Sequence, residues 1–432
     1  MSRIKEIVEE LNKLPKGYIS KKTIHGKTYF YLQRKENSKV ISEYIKSNEV
    51  ENYRKLLVRR NKLEKELNVL LESGKKLPIL SKKAKELTGS LMSEDKVVAS
   101  FENGSLVDID EKMCPLFILR TSNLEAFLKL RAIDSGRTNS RLLKKALGIS
   151  NDDNNIISLY AHGATITDNY WFKTKGSKLK YKDISFDGDF YSDLALNGEL
   201  VIYPKLPKLT PEITTPGTYE KCWKKIDNQW WLYKKGNENE IFSELFCSKL
   251  AELIGINTAK YERIGNYIRT LNFADKYNFE PMVSIASDDD SYDNVFSCLM
   301  EIDDALAKQY ILLIWFDTII NNVDRHNENC GLLRDKKNGK IISLAPNFDN
   351  NLALIARNEV LNLDVKKDGF VSYFVKFIKN NSKAKDMYSK LDLPLIDEKI
   401  IDKCNSKLNY KKDIKMISKF IINRYKYLIS LK

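Results

Sequence analysis

The sequence predicts an α+β chain of two lobes, a β-rich one over residues 211–280 and a helical one over residues 281–432, preceded by a β-meander-plus-helix module. Three observations predict it. Near the start, the runs YISKKTI, KTYFYLQRK and KVISEYI are separated by His25-Gly26 and Glu36-Asn37-Ser38, turn signals that mark an antiparallel meander. Between Thr210 and Gly255 a strand, a turn at Asp227-Asn228 and a second strand lead into a helix. From the apolar helical run QYILLIWFDTII to the end, helical faces alternate with turns.

Composition sets the bounds. A chain of 432 residues holds two or three domains with ample core, and 43% hydrophobic against 30% charged residues reads as soluble and globular. The net charge of +14 and pI near 9.1 fit an acidic partner such as nucleic acid, or simply a lysine-rich solvated surface, since the lysines run from end to end. Six cysteines, at 114, 222, 247, 298, 330 and 404, form no C-x-x-C pair and no secreted-type framework, so reduced thiols are expected. The start, MSRIKEIVEELNKL, lacks the continuous apolar core of a signal peptide, and the longest apolar run is short and interrupted by Asp317. A cytoplasmic location without a membrane partner is expected.

Residues 1–75 form the first unit. Ser2 caps a helix with Ile4, Ile7, Val8 and Leu11 on one face, and Pro15-Lys16-Gly17 ends it. In the meander, basic residues surround Tyr18, Tyr29, Phe30, Tyr31 and Tyr44, a pattern that serves either nucleic acid through residues 16–45 or half-buried aromatics with lysines facing water. Tyr53, Leu56, Leu63, Leu67 and Leu70 then make a short coiled-coil-like seam around Arg60, for packing within the chain or for dimerisation. Gly74 and Pro78 break it, and residues 76–110 read as an irregular linker. Residues 111–210 read as helices and short strands packing on the β-rich lobe. There Arg131, Arg137 and Arg141 suggest an anion-facing surface, and His162 a structural role.

The stretch TTPGTYEKCWKKIDNQWWLYKKG places Gly217 in a loop, where a backbone without a side chain can approach phosphates. Its second strand ends in Lys234 and Lys235, either of which can reach a phosphate as a point charge. The helix NEIFSELFCSKLAELIG carries Glu244 and Glu240 as alternative partners for that lysine, and Gly255 stops it. The acidic run DDDSYD lacks the glycine and spaced glutamate of a calcium loop and reads as solvated.

The densest chemistry lies from Asn321 to Asp349. Asp324 and Asn329 stand five positions apart in a short polar loop, and a hairpin turning at Lys337-Asn338-Gly339 returns Asp349 beside them. Two acids and an amide oxygen around one point suit a hard cation such as Mg²⁺. Phosphoryl transfer uses such a set, with one Asp near the acceptor hydroxyl and an Asn and a second Asp holding the metal.

NVDRHNEN followed by APNFDNNLAL resembles the catalytic loop and metal-binding segment of the HipA-like serine/threonine kinases, and the resemblance spans Thr210 to Lys432. It implies a two-lobed protein-kinase-like fold, ATP and Mg²⁺ as cofactors, and a protein substrate with a Ser or Thr acceptor. Asp324 would handle the hydroxyl proton, with His326 bracing the loop; Asn329 and Asp349 would hold the metal. TTPGTYEK resembles the family's glycine-containing phosphate loop, which implies Gly217, Thr218 and Lys221 near the phosphates. The family's nucleotide-binding lysine matches Lys234, or Lys235 with a slip of one, and Leu271 to Phe273, with Asn272 between them, would border the adenine. The position that family members autophosphorylate aligns with Thr214 or Thr215. An antitoxin partner is implied as well, although residues 1–110 depart from the family's usual N-terminal domain. The reading is thus a HipA-like kinase, with two others beside it: an inactive kinase-fold regulator that binds nucleic acid through the meander, and small-molecule phosphotransfer.

Overall fold

Residues 7–432 are described in the computed structural model, apart from 8–9, 12, 25–26, 37–38, 74–81, 150, 200–208, 358–359 and 409–413. Strands β1 (Tyr18–Ile24), β2 (Lys27–Glu36) and β3 (Lys39–Ile45) form the expected antiparallel meander. Strand alternation puts Ile19, Phe30, Leu32 and Ile45 on one face. Helix α1 (Val50–Ser73) covers that face with Val50, Tyr53 and Leu57. Arg60 donates to the carbonyls of Leu11 and Leu14 at 2.9 and 3.0 Å, so α1 packs within the chain. Ser2, Ile4, Val8, the His25-Gly26 and Asn37-Ser38 turns, and the side chains of Leu67 and Leu70 lie outside the described residues.

The linker reading of 76–110 is corrected: β4 (Gly89–Ser93), β5 (Lys96–Glu102) and β6 (Ser105–Ile109) occupy much of it. With β7 (Tyr170–Thr174) they make a sheet in the order β6-β5-β4-β7. The strand that completes this sheet arrives late in the chain, which hides it from local patterning. One signal was present. Asn103-Gly104 joins β5 to β6 with φ of 49° and 78°, the left-handed pair a two-residue hairpin requires. Leu91, Phe101 and Phe172 of the sheet pack against Phe117 and Ile118 of α2 (Leu116–Thr121) and Leu128 of α3 (Leu124–Leu130).

The β-rich part is a sheet of order β10-β11-β9-β8, with β8 at Lys221–Ile226, β9 at Gln229–Lys235, β10 at Tyr261–Ile264 and β11 at Tyr267–Leu271. Asp227 and Asn228 turn β8 into β9 with φ of 48° and 63°. Helix α4 (Glu238–Leu253) follows a capping box, in which Asn237 accepts from the Glu240 N–H and Glu240 from the Asn237 N–H. A third small sheet pairs β12 (Tyr277–Pro281) with β13 (Gly331–Asp335), and β13 with β14 (Ile341–Leu344). At the β13–β14 turn Gly339 is left-handed at 70° and donates to the Asp335 carbonyl at 3.0 Å.

The helical part gathers α5 (Tyr292–Ile302), α6 (Asp304–Ile320), α7 (Gly369–Asn380), α8 (Ser382–Lys390), α9 (Glu398–Leu408) and α10 (Ile414–Ile429). Its core joins Phe242 and Phe246 of α4 to Phe296, Trp315, Phe316, Phe374 and Phe420. The α+β class expected from the sequence is the class observed. Among the described residues no helix is long and apolar enough to cross a membrane. The segment between β6 and β8 seats on β12 and β13: the Phe279 N–H donates to the Thr167 carbonyl at 2.9 Å, and Arg334 reaches the Cys114 and Lys112 carbonyls at 2.8 Å.

Candidate active site

Helix α6 is almost wholly buried, and a carboxylate inside it must find a cation. That carboxylate is Asp317, fully buried and bound by both ends of the Arg325 guanidinium at 2.9 Å. Arg325 also donates to the carbonyls of Asn329 and Phe348 at 2.6 Å and to the side-chain oxygens of Asn347 and Asn350 at 2.6 and 3.0 Å. One fork therefore ties the end of α6, the loop 321–329 and the segment 347–350 together. Burial opposes the Arg325 charge, and Asp317 overrides it and raises its pKa. The polar loop could thus be found in the sequence, but not the arginine that fixes it.

Asp324 and Asn329 meet as expected. The Asn329 side-chain nitrogen donates to the Asp324 carbonyl at 3.1 Å and to its carboxylate at 3.4 Å. His326 Nδ1 accepts the Glu328 N–H at 3.2 Å, so it braces the loop. Burial raises the Asp324 carboxyl above its usual range; His326 works against this and Asp349 adds to it.

Asp349 stands at φ 61°, a left-handed conformation uncommon for a residue with a side chain. Its neighbours over-determine that backbone: Tyr261 Oη accepts the Asp349 N–H at 3.1 Å, and buried Glu244 accepts the Asn350 N–H at 2.8 Å. Asp349 Oδ1 takes an ion pair with Lys234 Nζ at 2.7 Å. Burial would raise this carboxyl, and Lys234 and Lys221 instead hold it below the ordinary range. The expected Lys234–Glu244 pair is therefore corrected to Lys234–Asp349, with Glu244 behind it, pushed upward by burial and relieved in part by Lys234. Glu240 serves its capping box and accepts from Tyr219 Oη at 3.2 Å.

Lys234 is buried while Lys235 next to it is half-buried, because successive strand residues face opposite ways. Lys221 is the register partner of Lys234 across β8 and β9, which brings two ammonium groups to one face. Burial first, and Lys234 second, push Lys221 down to about 7. Gly217, at φ 97°, lies so close that a side chain there would run into the Lys221 ammonium. Exposed Thr218 follows in the loop. A cavity lined by Tyr219, Lys221, Lys234, Gly236, Ile241 and Asp349 opens at this point.

Asn272 is not brought to that cavity. Its side chain donates to the Ile166 carbonyl at 3.2 Å and accepts the Ala274 N–H at 3.0 Å, which consumes the amide in a turn. Nor do Arg131 and Arg137 form an anion-facing surface. Arg131 is buried against Asp168 at 2.6 Å. Arg137 is buried and collects three successive carbonyls of the glycine loop: Thr215, Pro216 at 3.1 Å and Gly217 at 3.0 Å. No local pattern marked this role, since 80 positions separate Arg137 from Gly217.

Among the described residues no three His, Cys, Asp or Glu side chains cluster as a metal site. The available cation donors are oxygens of Asp349, Asn329 and Asp324, a hard set that suits Mg²⁺ rather than a softer metal.

A family model described as a domain of unknown function (DUF6788) matches residues 2–55. No curated protein matches the chain. Among solved structures, the chain is similar to the Helicobacter pylori proinflammatory kinase CtkA, at 16% identity and a TM-score of 0.38, over 49% of this chain and 92% of that one. It is also similar to HipA of Shewanella oneidensis MR-1, solved with HipB and operator DNA of that toxin–antitoxin system, at 12% identity and a TM-score of 0.46, over 79% of this chain and 97% of that one.

Proposed function

We propose that the chain is a HipA-like protein kinase, dependent on ATP and Mg²⁺, that transfers the γ-phosphate to a Ser or Thr hydroxyl. The observation that carries this reading is the meeting of Lys234 and Asp349 at 2.7 Å, with Lys221 beside the lysine and Asp324 close to the acid. A pair of ammonium groups and a pair of carboxylates at one cleft is what a polyphosphate and its cation require of a protein.

In this reading Lys234 and Lys221 bind the phosphates as point charges, and the Gly217 loop turns its N–H groups toward them because its carbonyls are held by Arg137. Asp349 and the Asn329 side-chain oxygen would hold Mg²⁺, which when bound supplies charge neutralisation on the phosphate oxygens. Lys234 then has Glu244 as the carboxylate behind it. Asp324 orients the acceptor hydroxyl and takes its proton, a task favoured by the upward shift that burial gives it.

The same proposal includes autophosphorylation of the glycine loop. Thr214 and Thr215 are both buried and both donate to the Pro211 carbonyl, at 3.2 and 2.7 Å, so the loop must turn outward first. An antitoxin partner and a cytoplasmic location belong to this reading too. Mass spectrometry after incubation with ATP is expected to find phosphate on one of the two threonines; none on either would remove this part.

The main test is incubation with labelled ATP and cell lysate. Asp324→Asn and Asp349→Asn are each expected to abolish transfer, and turnover retained in either variant sinks the assignment.

A further inference from the structure

The meander that α1 covers on one face carries a different set of residues on the other. The strand register aligns Ser20 with Tyr31, Lys22 with Tyr29, Tyr18 with Gln33, and Tyr31 with Tyr44, so these side chains share the face opposite α1. No element among the described residues covers it. Tyr18 and Tyr44 are 59% and 57% exposed, among the most exposed large side chains described. Tyr44 packs against Tyr29 and Tyr31 with ring centroids 6.3 and 5.8 Å apart, which holds its ring up as a braced platform. Lys22 Nζ lies 5.3 Å from the Tyr31 ring centre, and Gln33 donates to Ser42 at 2.9 Å across the floor of the face.

Charge narrows the occupant. Between Lys16 and Lys46 the sequence has eight Lys or Arg and two Glu. The ion pair of Arg34 with Glu43 lies on the opposite face, so it leaves the tyrosine face uncompensated. Ile19, Leu32 and Ile45 are spent on α1, and the described side chains of the other face are Tyr, Ser, Gln and Lys. Exposed π-faces beside the exposed ammonium of Lys22 fit bases that are free to stack and a backbone of phosphates. Tyr18 and Tyr44 sit on the outer strands, on the order of 10 Å apart across two strand spacings, room for an extended strand to lie across the sheet.

We infer that the β1-β2-β3 sheet binds single-stranded nucleic acid by stacking bases on Tyr44 and Tyr18, with Lys22 at the backbone. This inference is independent of the proposed kinase activity and gives a role to the segment matched by a family of unknown function.

The test uses the full chain and fluorescein-labelled oligo(dT), oligo(U) and a DNA duplex of equal length, followed by anisotropy from 50 to 300 mM salt. Binding to either single strand is expected, with affinity falling as salt rises and the duplex bound more weakly. The two single-strand arms distinguish DNA from RNA. Tyr18→Ala and Tyr44→Ala are each expected to weaken binding about tenfold, with Tyr44→Phe retaining it, since the phenyl ring still stacks. Lys22→Glu should weaken binding and flatten the salt dependence. All three side chains are exposed, so thermal melts of the variants should match the parent. Absence of single-strand binding at 50 mM salt, preference for the duplex, or indifference to both tyrosine substitutions would each overturn the inference.

Discussion

Arg325 and Arg137 are both buried, and both spend their guanidinium on backbone carbonyls that border one cleft. They differ in what balances the charge. Arg325 has Asp317 in a two-point pair, and its pKa is raised. Among the described residues Arg137 has only carbonyls at hydrogen-bonding distance; burial lowers its pKa to about 10, and Glu212 opposes that from nearby. The acid–amide side of the cleft is therefore anchored by a two-point ion pair, and the glycine-loop side by a guanidinium with no acid in ion-pair contact among the described residues. In the kinase reading proposed above, a loop held without an ion pair would suit a segment that adapts to a polyphosphate.

Removing Arg325 gives the largest expected effect. Arg325→Ala strands Asp317 in an apolar helix and should cost about 3–5 kcal/mol of stability, read by urea unfolding. A loss smaller than that of Arg137→Ala would break the comparison.

Arg137→Ala leaves three carbonyls without a donor and should cost less, about 1–3 kcal/mol. Its signature lies elsewhere: affinity for ATP is expected to fall about tenfold, with faster amide exchange over residues 215–219, since the loop loses its anchor. Arg131→Ala, which breaks a buried pair that makes no hydrogen bond to residues 215–217, should lower stability and leave ATP affinity unchanged. Equal losses of affinity in both variants would make Arg137 a merely structural residue.

A pH-dependent effect concerns Glu212, which is fully buried and accepts the Trp223 N–H at 3.0 Å. Burial raises its carboxyl from 4.5 to about 8. Between those values the folded chain holds a proton that the unfolded chain has released, so stability falls as pH rises through that window. Glu212→Gln should flatten the fall, and an unchanged pH profile would show that Arg137 already compensates the charge.

Much of this molecule could be read locally. The Asp227-Asn228 turn, the cap at Asn237 and the alternation of the N-terminal strands each depend on dihedral preferences and hydrogen bonds within a few residues. So does the grouping of Asp324 with Asn329, which a short loop cannot keep apart. The strands over residues 89–109 pair through local two-residue turns, of which Asn103-Gly104 is legible, whereas β7, which completes their sheet, lies about 70 positions on. No local pattern marks the partner of the Asn272 amide, the Ile166 carbonyl 106 positions away.

By itself, then, the sequence determined which chemical groups the cleft contains and the short-range geometry that carries them. Tertiary structure alone decided how those groups pair. Lys234 faces Asp349, 115 positions away, rather than Glu244, and Arg137 holds a loop 80 positions downstream. Such choices follow from burial. A charge removed from water must take the partner that packing brings within reach, and packing is a property of the whole chain rather than of any stretch of it.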